Sequence, residues 1–184
     1  NMTYIHNIMD IQYYSQGCHL APNSQQDKFV CETLKFRRNG TFLDIGAGPY
    51  QFINNTYCLE KQLDWTGISV DLDFNVQGDW LKHRKTPFII ADALKLDYQD
   101  LLTWYKMPAV IDYLSVDLEP PSLTLEALYK IFQSNYMFNV ITFETDEYRN
   151  TGTREPSQKF LKEKGYILVR ETLQDDFYVH STII

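Results

Sequence analysis

The segment Thr41-Phe42-Leu43-Asp44-Ile45-Gly46-Ala47-Gly48 constrains this chain more than any other. It is a short apolar strand that delivers an acid and then runs into a glycine turn. A second apolar run, Gly67-Ile68-Ser69-Val70, ends in Asp71, and a third, Pro87-Phe88-Ile89-Ile90-Ala91, ends in Asp92. Three strands that each present a carboxylate at their C-terminal end predict a nucleoside site along one edge of a parallel sheet. Ligands of open α/β sheets bind at that edge.

The rest of the chain alternates in the way such a sheet requires. Helical spacing is read at 25–37, 52–63, 97–106, 122–133 and 154–164, with a short helix or loop at 75–84. Strands are read at 41–45, 66–70, 88–91, 110–117, 138–143, 166–170 and 177–180. This predicts an α/β domain with a mostly parallel, seven-stranded sheet. The connection Gln174-Asp175-Asp176 is too short for a helical crossover, so the last strand is expected to be antiparallel.

A length of 184 residues fits a single domain spanning 1–184, with the aperiodic residues 1–24 as an N-terminal extension. The net charge is −7, and no basic stripe is visible, so no nucleic-acid partner is expected. No apolar run is long enough to span a bilayer, so no membrane partner is expected. The three cysteines, Cys18, Cys31 and Cys58, lack C-x-x-C spacing. That argues against a disulfide framework or a zinc site and fits a reduced, cytoplasmic setting.

The glycine turn also discriminates among ligands. A dinucleotide fingerprint needs a third glycine so that a helix N-terminus can hold a pyrophosphate. Here the turn reads Gly46-Ala47-Gly48-Pro49-Tyr50-Gln51, and Pro49-Tyr50 stands where the pyrophosphate would approach. S-adenosylmethionine carries no phosphate, and its cationic groups favour nearby carboxylates such as Asp44. Asp71, with Leu72 after it, would then hold the ribose. Asp92 and the backbone of Ala93 would face the adenine. Acids at strand ends also cap helices, and for Asp71 or Asp92 alone that reading is equally open.

A second block, Ile111-Asp112-Tyr113-Leu114-Ser115-Val116-Asp117-Leu118-Glu119, ends in two acids and is followed by Pro120-Pro121. Glu144-Thr145-Asp146 repeats the acidic pattern one strand later. Carboxylates there can orient a hydroxyl, act as a base or hold a metal. They can equally pair with Arg149 and Arg154. No metal ligand set is assigned, because two carboxylates on one rim hold Mg²⁺ only if water completes the shell.

These motifs together resemble the FkbM-like family of S-adenosylmethionine-dependent methyltransferases, over most of the chain. Phe42-Leu43-Asp44-Ile45-Gly46-Ala47 matches the family's first motif, and Trp65-Thr66-Gly67-Ile68 its W-x-G strand. Asn54-Asn55-Thr56 is similar to its S-N-T helix start, and the 111–119 block to its D-x-L-x-[IL]-D-x-E segment. Tyr14-Ser15-Gln16 or Ser24-Gln25-Gln26-Asp27 resembles its opening segment. The resemblance implies a class I methyltransferase fold, a Rossmann-like three-layer sandwich. It implies S-adenosyl-L-methionine as cofactor and O-methylation of a sugar or small-molecule hydroxyl. On that reading Asp44, Gly46, Ala47, Gly48, Asp71, Leu72, Asp92 and Ala93 bind the cofactor. Asp117, Glu119 and Glu144 face the acceptor. Two departures stand out. Pro120-Pro121 replaces a glycine, and Thr145 stands where similar sequences carry a histidine, which leaves His83 and His180 as candidate substitutes. A non-catalytic binding module on the same fold, or a nicotinamide-dependent oxidoreductase, are the alternative readings.

Overall fold

The computed structural model describes residues 25–51, 53–149 and 152–184. The N-terminal extension expected at 1–24, including Tyr14-Ser15-Gln16, lies outside the described residues. The strands are β1 (Thr41–Ile45), β2 (Thr66–Asp71), β3 (Phe88–Ile90), β4 (Val110–Val116), β5 (Met137–Glu144), β6 (Tyr166–Glu171) and β7 (Asp175–His180). The helices are α1 (Gln26–Thr33), α2 (Tyr57–Leu63), α3 (Gln77–His83), α4 (Tyr98–Trp104), α5 (Pro121–Ile131) and α6 (Arg154–Glu163). One seven-stranded sheet runs in the order β3-β2-β1-β4-β5-β7-β6. Strands β1 to β5 pair in parallel, and β7 is antiparallel to both β5 and β6. The expected sheet, including its antiparallel last strand, is the observed one.

Side-chain alternation divides the sheet into two faces. Leu43 and Ile45 join Leu114, Ile141 and Phe143 in a core covered by Tyr98 and Leu102 of α4, Leu128 of α5 and Leu161 of α6. Phe42 points the other way and packs with Tyr113 and Val140 under Val30 and Cys31 of α1 and Leu59 and Leu63 of α2. The result is three layers with two apolar cores, each closed by helices. The W-x-G strand has a steric reason. A Cβ on Gly67 would lie 2.3 Å from the Phe42 carbonyl oxygen. The Trp65 ring fills the space over Gly40 and donates from Nε1 to the Arg37 carbonyl at 2.6 Å.

Several boundaries differ from the sequence reading. The helix expected over 52–63 begins only at Tyr57. Asn54 explains the difference, because its Oδ1 accepts from the backbone N–H of Thr56 at 3.0 Å and of Tyr57 at 2.7 Å. Those are orphan donors of a helix start, so the helix opens there and the preceding segment stays a loop. The helix expected over 25–37 closes at Thr33, and Lys35 and Phe36 turn into positive φ. At α5, Pro121 takes the first helical position, where its missing N–H costs nothing.

The cysteines also need a correction. Cys31 is buried, as expected, whereas Cys58 is disulfide-bonded. Disulfides persist in oxidising surroundings, so the cysteine inventory does not carry the cytoplasmic expectation. Among the described residues, no helix is long and apolar enough to cross a membrane.

Candidate active site

The strand order reverses between β1 and β4, which opens a crevice at their C-terminal ends. Gly46 and Asp117 meet there. Gly46 has φ +78°, and a Cβ on it would lie 1.7 Å from the Asp117 carbonyl oxygen. Only glycine allows the first turn to press this closely on the end of β4. The turn is bonded on both sides. Gly46 and Ala47 donate to the Val70 carbonyl at 2.9 and 3.2 Å, and Asp117 donates to the Ile45 carbonyl at 2.9 Å. Gly48, also at positive φ, has nothing within 4 Å of its would-be Cβ. The turn is therefore packed at Gly46 and open at Gly48.

Asp71 ties the end of β2 to that opening. Its Oδ2 accepts from Gly48 N at 2.8 Å and its Oδ1 from Asp73 N at 2.8 Å. Each oxygen keeps a second lone pair for a hydroxyl donor. Leu72 and Phe74 follow with 66% and 70% of their surfaces exposed, an apolar wall beside the carboxylate. Asp92 caps its own turn. Its Oδ1 accepts from Leu94 N at 3.0 Å, and Lys95 Nζ lies 3.1 Å from its Oδ2. The Leu94 hydrogen bond, with the Lys95 contact, holds its carboxyl below the usual range. Ala93 is buried behind it.

Asp44 is placed differently from its neighbours. It is 1% exposed, on the α1/α2 face, and its Oδ2 accepts from Thr56 Oγ1 at 2.9 Å. Burial pushes its carboxyl up to about 6, against the opposing hydrogen bond from Thr56 and the charge of Arg84. Register sets Ser69 beside it on β2 and Ser115 on β4, with Thr142 next on β5. All four are buried, so a polar row crosses the sheet beneath the crevice.

Sequence reasoning missed what anchors this floor. Arg84, with its side chain wholly buried, donates from Nε to Glu60 Oε2 at 2.6 Å. It also reaches the Tyr50 carbonyl at 2.9 Å, Asn54 Oδ1 at 3.1 Å and Thr56 Oγ1 at 3.1 Å. Asn54 Nδ2 in turn donates to the Ala47 carbonyl at 2.9 Å. One guanidinium thus links the loop after β1, the start of α2 and the segment before β3. Arg84 ends a short amphipathic stretch, and its sequence carries no signal of that role.

On the opposite side of the crevice, Asp117, Glu119, Glu144 and Asp146 gather at the ends of β4 and β5. Burial raises Asp117 above its ordinary value, and the neighbouring Glu119 and Asp71 charges add to that. Burial likewise pushes Glu144 up to about 10, and its carboxyl hydrogen-bonds to Asp117. Arg149 Nη2 lies 2.5 Å from Glu119 Oε1 and also bonds Asp146 Oδ2. The sequence-level pairing of Asp146 with Arg149 is thus present. Asp112, in the same motif, sits at the far end of β4. It accepts from Arg37, Thr41 and Asn139 and pins the strand starts.

Thr145 and the two candidate histidines are each engaged by other partners. Thr145 is fully buried, and its hydroxyl donates to the Gln174 carbonyl at 3.0 Å and accepts from Arg154 at 2.9 Å. Arg154 is turned inward to Asp176 and the Thr172 carbonyl. His180 closes β7 at the opposite edge of the sheet, against the Tyr166 ring and Thr182. His83 stacks on Tyr50 with ring centroids 4.5 Å apart.

No family model and no curated protein sequence matches the chain. Solved structures do. Precorrin-6y C5,15-methyltransferase from Geobacter metallireducens aligns with a TM-score of 0.55 and 12% identity, over 83% of this chain and 85% of that one. N-methyltransferase NodS from Bradyrhizobium japonicum, solved with S-adenosyl-l-homocysteine, gives 0.52 and 12% over 89% and 91%. Fibrillarin from Aeropyrum pernix, solved with natively bound S-adenosyl-L-methionine, gives 0.51 and 12% over 78% and 67%. At such identities the likeness is one of architecture, and the chain has the class I methyltransferase fold.

Proposed function

We propose that this chain is an S-adenosylmethionine-dependent methyltransferase acting on a hydroxyl of a sugar or small molecule, within or beside the FkbM-like family. The observation that carries the reading is the turn, closed at Gly46 against Asp117 and open at Gly48 beside Asp71. That cradle suits a nucleoside without phosphate: it offers carboxylate acceptors and apolar side chains, and Pro49-Tyr50 stands on the approach to the turn. When bound, the cofactor supplies an electrophilic methyl group. The backbone from Gly46 to Gly48 shapes its seat, and Asp71 accepts from its ribose hydroxyls. Leu72 and Phe74 flank the base, with Asp92 and Ala93 at its far edge. Buried Asp44 acts on it through its field and through Thr56, which shares the Arg84 network.

Asp117 and Glu144 serve the acceptor. Burial raises both carboxyls and so makes an ionised Asp117 the more basic: it orients an incoming O–H and receives its proton as the bond to carbon forms. Positioning supplies most of the rate in such a transfer. Glu119, exposed at the rim, contacts the acceptor's outer hydroxyls. A net charge of −7 disfavours an RNA acceptor. One observation favours a non-catalytic module instead: among the described residues no histidine lies at the rim. Transfer of labelled methyl groups to a panel of sugars, hydroxylated metabolites and RNA separates these readings. Labelling of a hydroxyl compound that falls at least tenfold in Asp117→Asn supports the enzyme, and binding without any transfer supports the module.

A further inference from the structure

Three acids at the crevice rim are spaced for a cation. Glu119, Glu144 and Asp146 each offer one carboxylate oxygen, and these oxygens lie within 4.8 Å of one another. Opposite oxygens around Mg²⁺ are roughly 4.2 Å apart, and around Ca²⁺ roughly 4.8 Å. The spacing therefore matches a single hard cation.

An independent observation points to a missing ligand. Asp146 is 0% exposed, yet its Oδ1 makes no hydrogen bond. Glu144 Oε2 is likewise buried and unpartnered. Buried acceptors left empty are costly, and more so when charged. Arg149 bonds two of the three acids, Glu119 and Asp146. That one guanidinium serves both pairs, and its side chain is 48% exposed, free to turn toward solvent.

We infer that Glu119, Glu144 and Asp146 form a binding site for a divalent cation of the oxygen-seeking class, Mg²⁺, Mn²⁺ or Ca²⁺, and that Arg149 is the internal counter-ion which the metal displaces. The all-carboxylate donor set excludes soft metals, and water completes the shell. The site shares Glu119 and Glu144 with the acceptor rim of the proposed methyl transfer, and its cation binding does not need the cofactor. If that transfer occurs, the cation lies next to Asp117 and polarises the acceptor hydroxyl.

Calorimetric titration of the full chain with MgCl₂, MnCl₂ and CaCl₂ separately, without S-adenosylmethionine, tests the site. The expected result is one site per chain, tightened about tenfold or more in Arg149→Ala and weakened at least tenfold in Arg149→Ala/Glu119→Gln. Glu119 is exposed, so that second change leaves the fold intact where Asp146→Asn risks unfolding. Absence of binding to Arg149→Ala at millimolar metal, or binding indifferent to Glu119→Gln, would overturn the inference and leave Arg149 a salt-bridge residue. Binding of S-adenosylhomocysteine to the same samples reads the methyltransferase proposal separately.

Discussion

Gly46 and the Asp117 carbonyl are in mutual contact across the switch point, with 1.7 Å between that oxygen and any Cβ placed on Gly46. Two loops far apart in sequence are thereby locked into one wall. Gly46→Ala adds a steric clash to a positive-φ penalty. It is expected to cost on the order of 3 kcal/mol or more. Gly48→Ala meets only the backbone penalty, about 1 kcal/mol. Urea unfolding of the two variants measures the difference; equal losses would show that the close approach is absent in solution.

Asp71 accepts two backbone N–H groups, from Gly48 and Asp73. Asp71→Ala leaves both donors to water, because the site is open, at a cost of about 1–2 kcal/mol. Its larger expected effect is on ligand binding, a loss of tenfold or more for S-adenosylhomocysteine. Thermal unfolding alongside calorimetry distinguishes the two. Unchanged affinity would remove Asp71 from the site.

The Arg84–Glu60 pair is buried on both sides. Burial alone would raise the Glu60 carboxyl, but the Arg84 charge and the hydrogen bonds from Lys85, Thr86 and Arg84 hold it below its usual range. Truncating one partner strands the other charge. Arg84→Met is expected to destabilise by roughly 3–5 kcal/mol, and Arg84→Met/Glu60→Met by less than the sum of the single changes. Chemical denaturation of the double-mutant cycle measures the coupling, and strict additivity would contradict it.

Asp44 ties stability to pH in the sense opposite to an exposed carboxylate. Its folded pKa is raised from 3.8 to about 6. The folded state therefore holds a proton that the unfolded chain has released. The stabilisation is fully present below 3.8 and is lost as pH rises through 6, amounting to roughly 3 kcal/mol. Asp44→Asn is expected to flatten this part of the profile between pH 4 and 7, followed by urea unfolding. A variant profile parallel to that of the parent would show that Asp44 is ionised throughout.

The strand-end acids were legible because alternation and glycine punctuation are local, and their parallel order follows from the helices between them. The Ser69–Asp44–Ser115–Thr142 row was not, since it exists only once the register of four strands is fixed. Arg84 was equally silent, because its partners Glu60, Tyr50 and Asn54 come from a loop and a helix that fold back on it. Thr145 shows a different limit. Its place in the motif resembled a catalytic position, but the connection leading into the antiparallel β7 supplies the Gln174 carbonyl that captures its hydroxyl. The acid trio with Arg149 was half visible: the residue types stood in the sequence, and their convergence on one point did not.

The central claim is that the Gly46–Gly48 turn with Asp71 seats a phosphate-free nucleoside. Isothermal titration of the full chain with S-adenosylhomocysteine, with NAD⁺ as the comparison, tests it most directly. The account predicts one site for S-adenosylhomocysteine, with micromolar affinity on the order of −8 kcal/mol, weakened at least tenfold by Asp71→Ala, and no heat from NAD⁺. Binding of NAD⁺ alone, or of neither ligand, would contradict it.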